Sequence, residues 1–136
     1  GLAVIEEIEA EGLMANAARV GALLKSRLEG LMQRHAFIGD VRGRGLLLAF
    51  ELVADRQTRR PLPKALNAHV ELVERAYEEG LIIYSRRSRD GIEGDHFLVC
   101  PPMITTEGQV EEIMERLTAA LDRLAAQIAP TLTESA

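Results

Sequence analysis

The sequence predicts an α+β domain with a small antiparallel or mixed sheet of about four strands and helices packed on one face. Segments with helical and strand spacing follow one another in the order α-α-β-β-α-β-β-α. Short loops join the strands of each pair, which favours antiparallel neighbours. The 136 residues, of which 47% are hydrophobic, suit a single domain with one core.

The first two elements are predicted to be helices. Leu2, Ile5 and Ile8 recur at helical spacing, and Gly12 is a natural stop for this opening helix. A second helix is predicted over residues 13–35, because apolar residues recur there at i+3 and i+4 spacing. Its predicted buried stripe consists of Leu13, Ala17, Val20, Leu24, Leu28 and Leu31.

Two strands are predicted next. Residues 37–42 form the first, and residues 42–45 (Arg-Gly-Arg-Gly) form a tight turn that glycine permits. The turn lacks the third glycine of a dinucleotide-binding loop. Residues 46–53 form the clearest strand, because apolar residues alternate along it. The side chains expected to face the core are Leu46, Leu48, Phe50 and Leu52.

The middle of the chain predicts a helix and a second strand pair. Pro63 fits the first position of a helix over residues 63–79, which Gly80 ends. Strands are predicted at 81–84 and 96–100, joined by a loop over 85–95. Neither residue of Pro101-Pro102 can donate to a sheet, so they end the second strand. The helix is expected to bury Leu66, Val70, Val73 and Tyr77.

The last helix begins at Thr106, and Gln109 three residues later completes a capping box. Residues 130–136 are predicted to form a frayed tail that starts at Pro130. The predicted buried stripe of the last helix consists of Val110, Ile113, Met114, Leu117, Leu121, Leu124 and Ile128.

Composition excludes several classes of function. The net charge of −5 argues against general binding to nucleic acid or to an anionic membrane. Aromatic residues make up 4% of the chain, too few for a platform on which bases stack. No apolar segment approaches the roughly 20 residues that span a bilayer. The only cysteine, Cys100, lies in an apolar run and is expected to be buried in a reducing, cytoplasmic setting.

The strongest concentration of charge is the set Arg86, Arg87 and Arg89 on the predicted loop. Arginine binds carboxylate or phosphate through two parallel hydrogen bonds, so this cluster could clamp an anionic group of a substrate. The alternative is a solvated hairpin tip in which the arginines and the neighbouring acids neutralise one another. Those acids are Asp90, Glu93 and Asp95.

No residue has the setting of a catalytic group. Lys25 and Lys64 lie where nothing would desolvate an amine for Schiff-base chemistry. His35 and His69 lack a second ligand at i+4, which gives no support for a metal site. His96 and Asp95 are neighbours in a strand, so their side chains point to opposite faces. We therefore assign no catalytic, cofactor-binding or metal-binding residue within this chain.

Five segments resemble the C-terminal small domain of class III pyridoxal-phosphate-dependent aminotransferases. They are A-V-I-E-E-I-E-A-E-G-L from Ala3, V-R-G-R-G-L-L-L-A-F-E-L from Val41, G-L-I-I-Y from Gly80, D-G-I-E-G-D-H from Asp90 and P-P-M-I-T-T-E from Pro101. The resemblance implies a small domain over residues 1–129. It also implies that residues 1–12 form a linker helix toward a missing N-terminal large domain, and that the chain is a piece of something longer.

The same resemblance implies a homodimeric parent enzyme that moves an amino group from an amine to an oxo acid on pyridoxal phosphate. In that family the Schiff-base lysine lies in the large domain, so this chain is expected to be inactive alone and to bind no cofactor. The small domain often supplies an arginine for the substrate carboxylate. In some branches that arginine just precedes the prolines, where this chain has Leu98-Val99-Cys100. The alternative is a free-standing α+β module that binds an anion or forms an oligomer.

Overall fold

A computed structural model describes residues 1–88 and 93–134. Four α-helices, a short 3₁₀ helix and four strands follow the predicted order, so the α+β class is confirmed. No helix of this described part is long and apolar enough to cross a membrane. The elements are α1 (Leu2–Ala10), α2 (Leu13–Arg34), β1 (Ile38–Arg44), β2 (Leu47–Leu52), the 3₁₀ helix (Lys64–Leu66), α3 (Ala68–Glu78), β3 (Tyr84–Ser88), β4 (Glu93–Val99) and α4 (Glu107–Glu134).

The four strands form one antiparallel sheet in the order β1-β2-β4-β3. Side chains alternate across it, so Leu48, Phe50 and Leu52 are buried while Leu47 is exposed, as the sequence predicted. Phe50 and Phe97 stack at the centre with ring centroids 4.9 Å apart. Burying such a side chain contributes about 1.5–3 kcal/mol. We call the helix-covered side of the sheet the inner face and the other side the outer face.

The stripes predicted for the two long helices form most of the helical side of the core. In α2, residues Val20, Leu24 and Leu28 are at most 1% exposed, whereas Leu13 and Ala17 are half-buried. In α4, every predicted stripe residue is buried except Ile113, which is half-buried. The helical spacing of apolar residues therefore identified the buried faces of α2 and α4 correctly.

The turn between β1 and β2 lies further along the chain than predicted. β1 continues to Arg44, and the turn consists of Gly45 and Leu46. Gly43 and Gly45 both have positive φ, at 129° and 55°, which glycine adopts without strain, and the turn lies beside α2. There the backbone of Gly45 lies so close to Gly21 that a Cβ on Gly21 would overlap it. This glycine contact sets how closely α2 packs against the sheet.

The helix predicted over residues 63–79 is wrong in its start and in its buried face. Residues Lys64–Leu66 form a 3₁₀ turn. Asn67, with φ at 47°, is left-handed and separates this turn from α3. The break rotates the helix, so Val70 and Tyr77 are exposed. Leu66 and Val73 still pack against the core. The residues that α3 buries are Ala68, Leu72 and Ala76.

The second strand pair also differs from prediction. β3 starts at Tyr84 instead of residue 81, and β4 starts at Glu93, so residues predicted as a loop form a longer hairpin. Cys100 is exposed, which corrects the expectation of a buried thiol. Alternation explains the error, since Phe97 and Val99 occupy the inner face and the next inward position lies beyond Cys100.

The start of α4 has the predicted capping box. The backbone N–H of Thr106 donates to Oε1 of Gln109 at 2.9 Å, and the backbone N–H of Gln109 lies 3.3 Å from Oγ1 of Thr106. Asn16 of α2 holds the segment before this cap through hydrogen bonds from Nδ2 to the carbonyl oxygens of Met103 (2.7 Å) and Thr105 (3.0 Å). The α4 backbone continues past Pro130, where a tail was predicted to start.

His35 joins the end of α2 to α4 inside the protein. Its side chain is buried, its ring lies 5.1 Å from that of Phe37, and Nε2 is 3.3 Å from Oδ1 of Asp122. Burial lowers the pKa of His35 below its ordinary value, although Asp122 opposes this effect and Arg34 adds to it. The folded protein therefore favours the neutral imidazole.

This burial predicts a loss of stability in mild acid. The unfolded chain binds a proton at His35 near pH 6.5, whereas the folded chain resists it, so stability falls as the pH drops from about 6.5 through the lowered folded pKa. Urea unfolding at pH 7.5 and pH 5.5 should show a smaller loss for His35→Phe than for the unsubstituted chain. An equal loss in both proteins would show that His35 does not cause it.

Candidate anion-binding site on the outer face

The outer face of the sheet carries the candidate site. The register places Arg86 beside His96, and His96 beside Glu51. One step along the strands, Tyr84 lies beside Leu98. Side chains two residues apart on a strand share a face, so Tyr84 and Arg86 project together from the edge strand β3. The helices cover the opposite face.

Arg86 packs on Tyr84. The guanidinium carbon lies 5.2 Å from the ring centroid, within the range of a cation–π interaction. Both residues are exposed, and Tyr84 is 51% accessible. No carboxylate side chain that the structure describes forms an ion pair with Arg86. Its N–H groups therefore face solvent, where an anion can reach them.

Arg87 lies on the inner face, beneath the sheet. Its side chain is 5% exposed, and Nε donates to Oδ1 of Asp95 at 3.1 Å. Asp95 is fully buried, and Nδ1 of His69 at the start of α3 lies 3.2 Å from the same oxygen. We call Arg87, Asp95 and His69 the inner-face cluster. Its contacts link β3, β4 and α3, and the side chains of Arg87 and Asp95 are closed off from solvent.

The structure therefore separates the predicted clamp. Arg86 and Arg87 project from opposite faces of β3, so one anion cannot contact both, and Arg89 lies outside the described residues. Arg87 is neutralised by Asp95, but this pair is buried and is not part of the solvated hairpin tip that the alternative described. Of the described members of the set, Arg86 alone has a guanidinium available for an anion.

The rest of the outer face is polar on one side and apolar on the other. Arg42 of β1 donates to Asp40 (2.9 Å) and Glu51 (3.0 Å), and these hydrogen bonds raise its pKa above the ordinary value. This cation is therefore already neutralised. The apolar side includes the exposed side chain of Leu47. The register places Arg86 in one row with His96, Glu51 and Asp40.

Sequence reasoning missed the contact of Tyr84 with Arg86 and the place of His69 beside Asp95. The run Tyr84-Ser85-Arg86-Arg87 was assigned to the end of a strand and the start of a loop, so alternation was not applied to it. Extending the strand by four residues would have paired Tyr84 with Arg86 and turned Arg87 inward. The contact between His69 and Asp95 spans two distant elements, and no local pattern predicts it.

The described residues form an α+β domain whose antiparallel sheet is covered by helices on one face and exposed on the other. The chain belongs to the family described as "Aminotransferase class-III", whose sequence model matches residues 1–121.

Individual relatives agree with this assignment. The chain is 41% identical over 125 residues to a taurine–pyruvate aminotransferase of Rhodobacter capsulatus, covering 92% of this chain and 27% of the relative. It is 36% identical to alanine–glyoxylate aminotransferase 2 homolog 2, mitochondrial, of Arabidopsis thaliana, covering 91% and 24%. An amine transaminase from an uncultivated Pseudomonas species, solved in its PLP-bound form, superposes with a TM-score of 0.79 at 36% identity, covering 90% and 26%. The chain thus spans about a quarter of the length of these relatives.

The residues present do not fit covalent attachment of pyridoxal phosphate. Of the two lysines, Lys64 is exposed in the 3₁₀ turn, and the partly exposed Lys25 lies 3.9 Å from Glu29 on the surface of α2. Neither has the buried setting that makes an amine nucleophilic at neutral pH. Within the described part of the chain, no group of three His, Cys, Asp or Glu residues could hold a metal ion.

Proposed function

We propose that this chain is the C-terminal small domain of a pyridoxal-phosphate-dependent class III aminotransferase, which transfers an amino group between an amine or amino acid and an oxo acid. Family membership is the observation that carries the proposal. The aminotransferase names of the relatives and their roughly fourfold greater length support it. In this proposal a large domain holds the cofactor, and the small domain helps to close the active site.

The same proposal makes the isolated chain inactive. Both lysines are accessible surface groups, so neither supplies the amine that holds the cofactor. The parent enzyme is proposed to be a cytoplasmic homodimer, in which the cofactor lies against the large domain. The chain of 136 residues contributes shape and substrate contacts instead of covalent chemistry.

Exposed apolar surface supports a missing neighbour. Helix α1 has no buried residue, and Leu2 and Ile5 are 77% and 54% exposed. Met14 and Leu47 are also exposed and line an apolar groove of about 510 Å³ beside the β1–β2 turn. Monomers rarely leave several large apolar side chains together in water. The alternative of a free-standing module predicts instead that α1 docks on the core of this chain or is disordered.

Arg86 is the proposed contact for a carboxylate of the substrate. It is accessible on the outer face, it has no described ion-pair partner, and its planar fork matches a carboxylate. The segment just before Pro101 contains no arginine, so Arg86 would supply from β3 the charge that some members of the family place there.

The test of the proposed function uses the longer polypeptide that contains this chain. Purified with pyridoxal phosphate, it should transfer the amino group of an amine to pyruvate or glyoxylate, giving alanine or glycine and the aldehyde or ketone of the amine, and the 136-residue chain under the same conditions should not. Absence of a longer coding frame, or a longer polypeptide without amino transfer, would overturn the proposal.

The role of Arg86 is tested in that longer enzyme with two amino donors, one bearing a carboxylate and one uncharged. Arg86→Gln should lower kcat/KM for the carboxylate donor at least about tenfold, because removing one partner of a charged hydrogen bond costs about 2–5 kcal/mol or more when desolvated. The uncharged donor should be affected little. Equal losses for both donors would remove Arg86 from the substrate site and leave amino transfer itself intact.

A further inference from the structure

We propose that Tyr84 is a positioning residue for Arg86, holding the guanidinium on the outer face with its N–H groups directed at the anion of the substrate. The inference rests on the proposed role of Arg86 and adds a second residue to that site. Nothing in the family assignment requires it, since it follows from the contact between these two side chains.

The contact with Tyr84 is compatible with anion binding by Arg86. A guanidinium packed on an aromatic ring uses its flat face, whereas a carboxylate is bound in the plane, through the N–H groups at the edge. With the guanidinium carbon 5.2 Å from the ring centroid, Arg86 can keep this contact while it binds an anion. The ring thus restricts the arginine without competing with the ligand.

A free arginine on an edge strand has several rotatable bonds and loses side-chain entropy when it binds. Packing on Tyr84 removes part of that freedom before the anion arrives, which is preorganisation. The position of Tyr84 is itself set by β4, since Leu98 is its partner across the strands and is half-buried. Arg87, the residue after Arg86, faces inward and pairs with Asp95, which fixes β3 at this point against the inner face of the sheet.

The experiment compares variants of the full-length enzyme loaded with pyridoxal phosphate, using the carboxylate donor and the uncharged donor. Tyr84→Leu keeps an apolar side chain and removes the ring, whereas Tyr84→Phe keeps the ring and removes the hydroxyl. Tyr77→Leu is the matched control, because Tyr77 is equally an exposed tyrosine but lies on α3, away from β3.

We expect Tyr84→Leu to lower kcat/KM for the carboxylate donor about two- to fivefold, the range for an exposed cation–π contact. The uncharged donor should be unaffected, Tyr84→Phe should restore the activity, and Tyr77→Leu should leave both donors unchanged. In an Arg86→Gln background, Tyr84→Leu should have no further effect, because the group that it positions is gone.

Two results would overturn the inference while leaving the role of Arg86 in place. One is a selective loss in Arg86→Gln with no selective loss in Tyr84→Leu. The other is an equal loss for both donors in Tyr84→Leu, which would make the ring a general structural support. If Arg86→Gln itself shows no selectivity, the proposed carboxylate site fails, and the positioning role fails with it.

Discussion

Replacing Asp95 by alanine is expected to lower the free energy of unfolding by about 3–5 kcal/mol, because it leaves a buried guanidinium without its counter-charge. Asp95 is fully buried, and the side chain of Arg87 is 5% exposed. The cluster is already short of partners, since Nη2 of Arg87 and Oδ2 of Asp95 have no hydrogen bond within the described residues. Water cannot replace the lost carboxylate at such a depth without opening the core.

Urea unfolding of the chain followed by circular dichroism would measure this loss. The control is the double variant Asp95→Ala, Arg87→Met, in which the buried charge is removed along with its partner. It should recover most of the stability, since exchanging a buried ion pair for apolar groups is often neutral. A double variant as unstable as Asp95→Ala alone would show that lost volume, and not an unpaired charge, causes the effect.

Substituting Gly21 by alanine is expected to destabilise the fold by about 3 kcal/mol, at the upper end of the usual cost of overpacking. The added methyl would overlap the backbone of Gly45, and a turn backbone cannot move aside as a flexible side chain can. α2 would have to move away from the β1–β2 turn, and part of the contact between Val20, Leu24 and the core would be lost.

Gly30 on the same helix supplies the matched control for this substitution. A Cβ at Gly30 would meet no atom within 4 Å, so Gly30→Ala should stabilise the protein by about 0.5–1 kcal/mol through helix propensity. Opposite signs for the two variants, measured by urea unfolding, would establish the close approach at Gly21. A stabilising Gly21→Ala would contradict it.

The long elements could be predicted because their patterns repeat many times. The stripes of α2 and α4 and the alternation in β2 each follow from repeated apolar spacing, and Thr106 with Gln109 is a local signature. The start of α3 could not be predicted in this way. Its position depends on a left-handed residue, Asn67, for which the sequence offers only a weak signal.

The candidate site was predictable in its residue type and not in its arrangement. Three arginines within four residues drew attention to β3, but their directions depend on where the strand begins. With β3 starting at Tyr84, Arg86 turns outward and Arg87 turns inward toward Asp95. His69 of α3 lies next to this buried pair because of tertiary packing, which patterns in a single sequence do not report.

The adjacent arginines of β3 have a consequence for how the hairpin forms. A β3 strand paired one residue out of register would bring Arg86 against Asp95 in place of Arg87 and would keep an ion pair there, so charge does not distinguish the two alignments. The preceding residues do, because the slip would expose Ile83, now 7% accessible, and force the phenol ring of Tyr84 toward the core. The aliphatic and aromatic neighbours of the arginines, and not the arginines themselves, therefore favour the observed register of the hairpin over the slipped one.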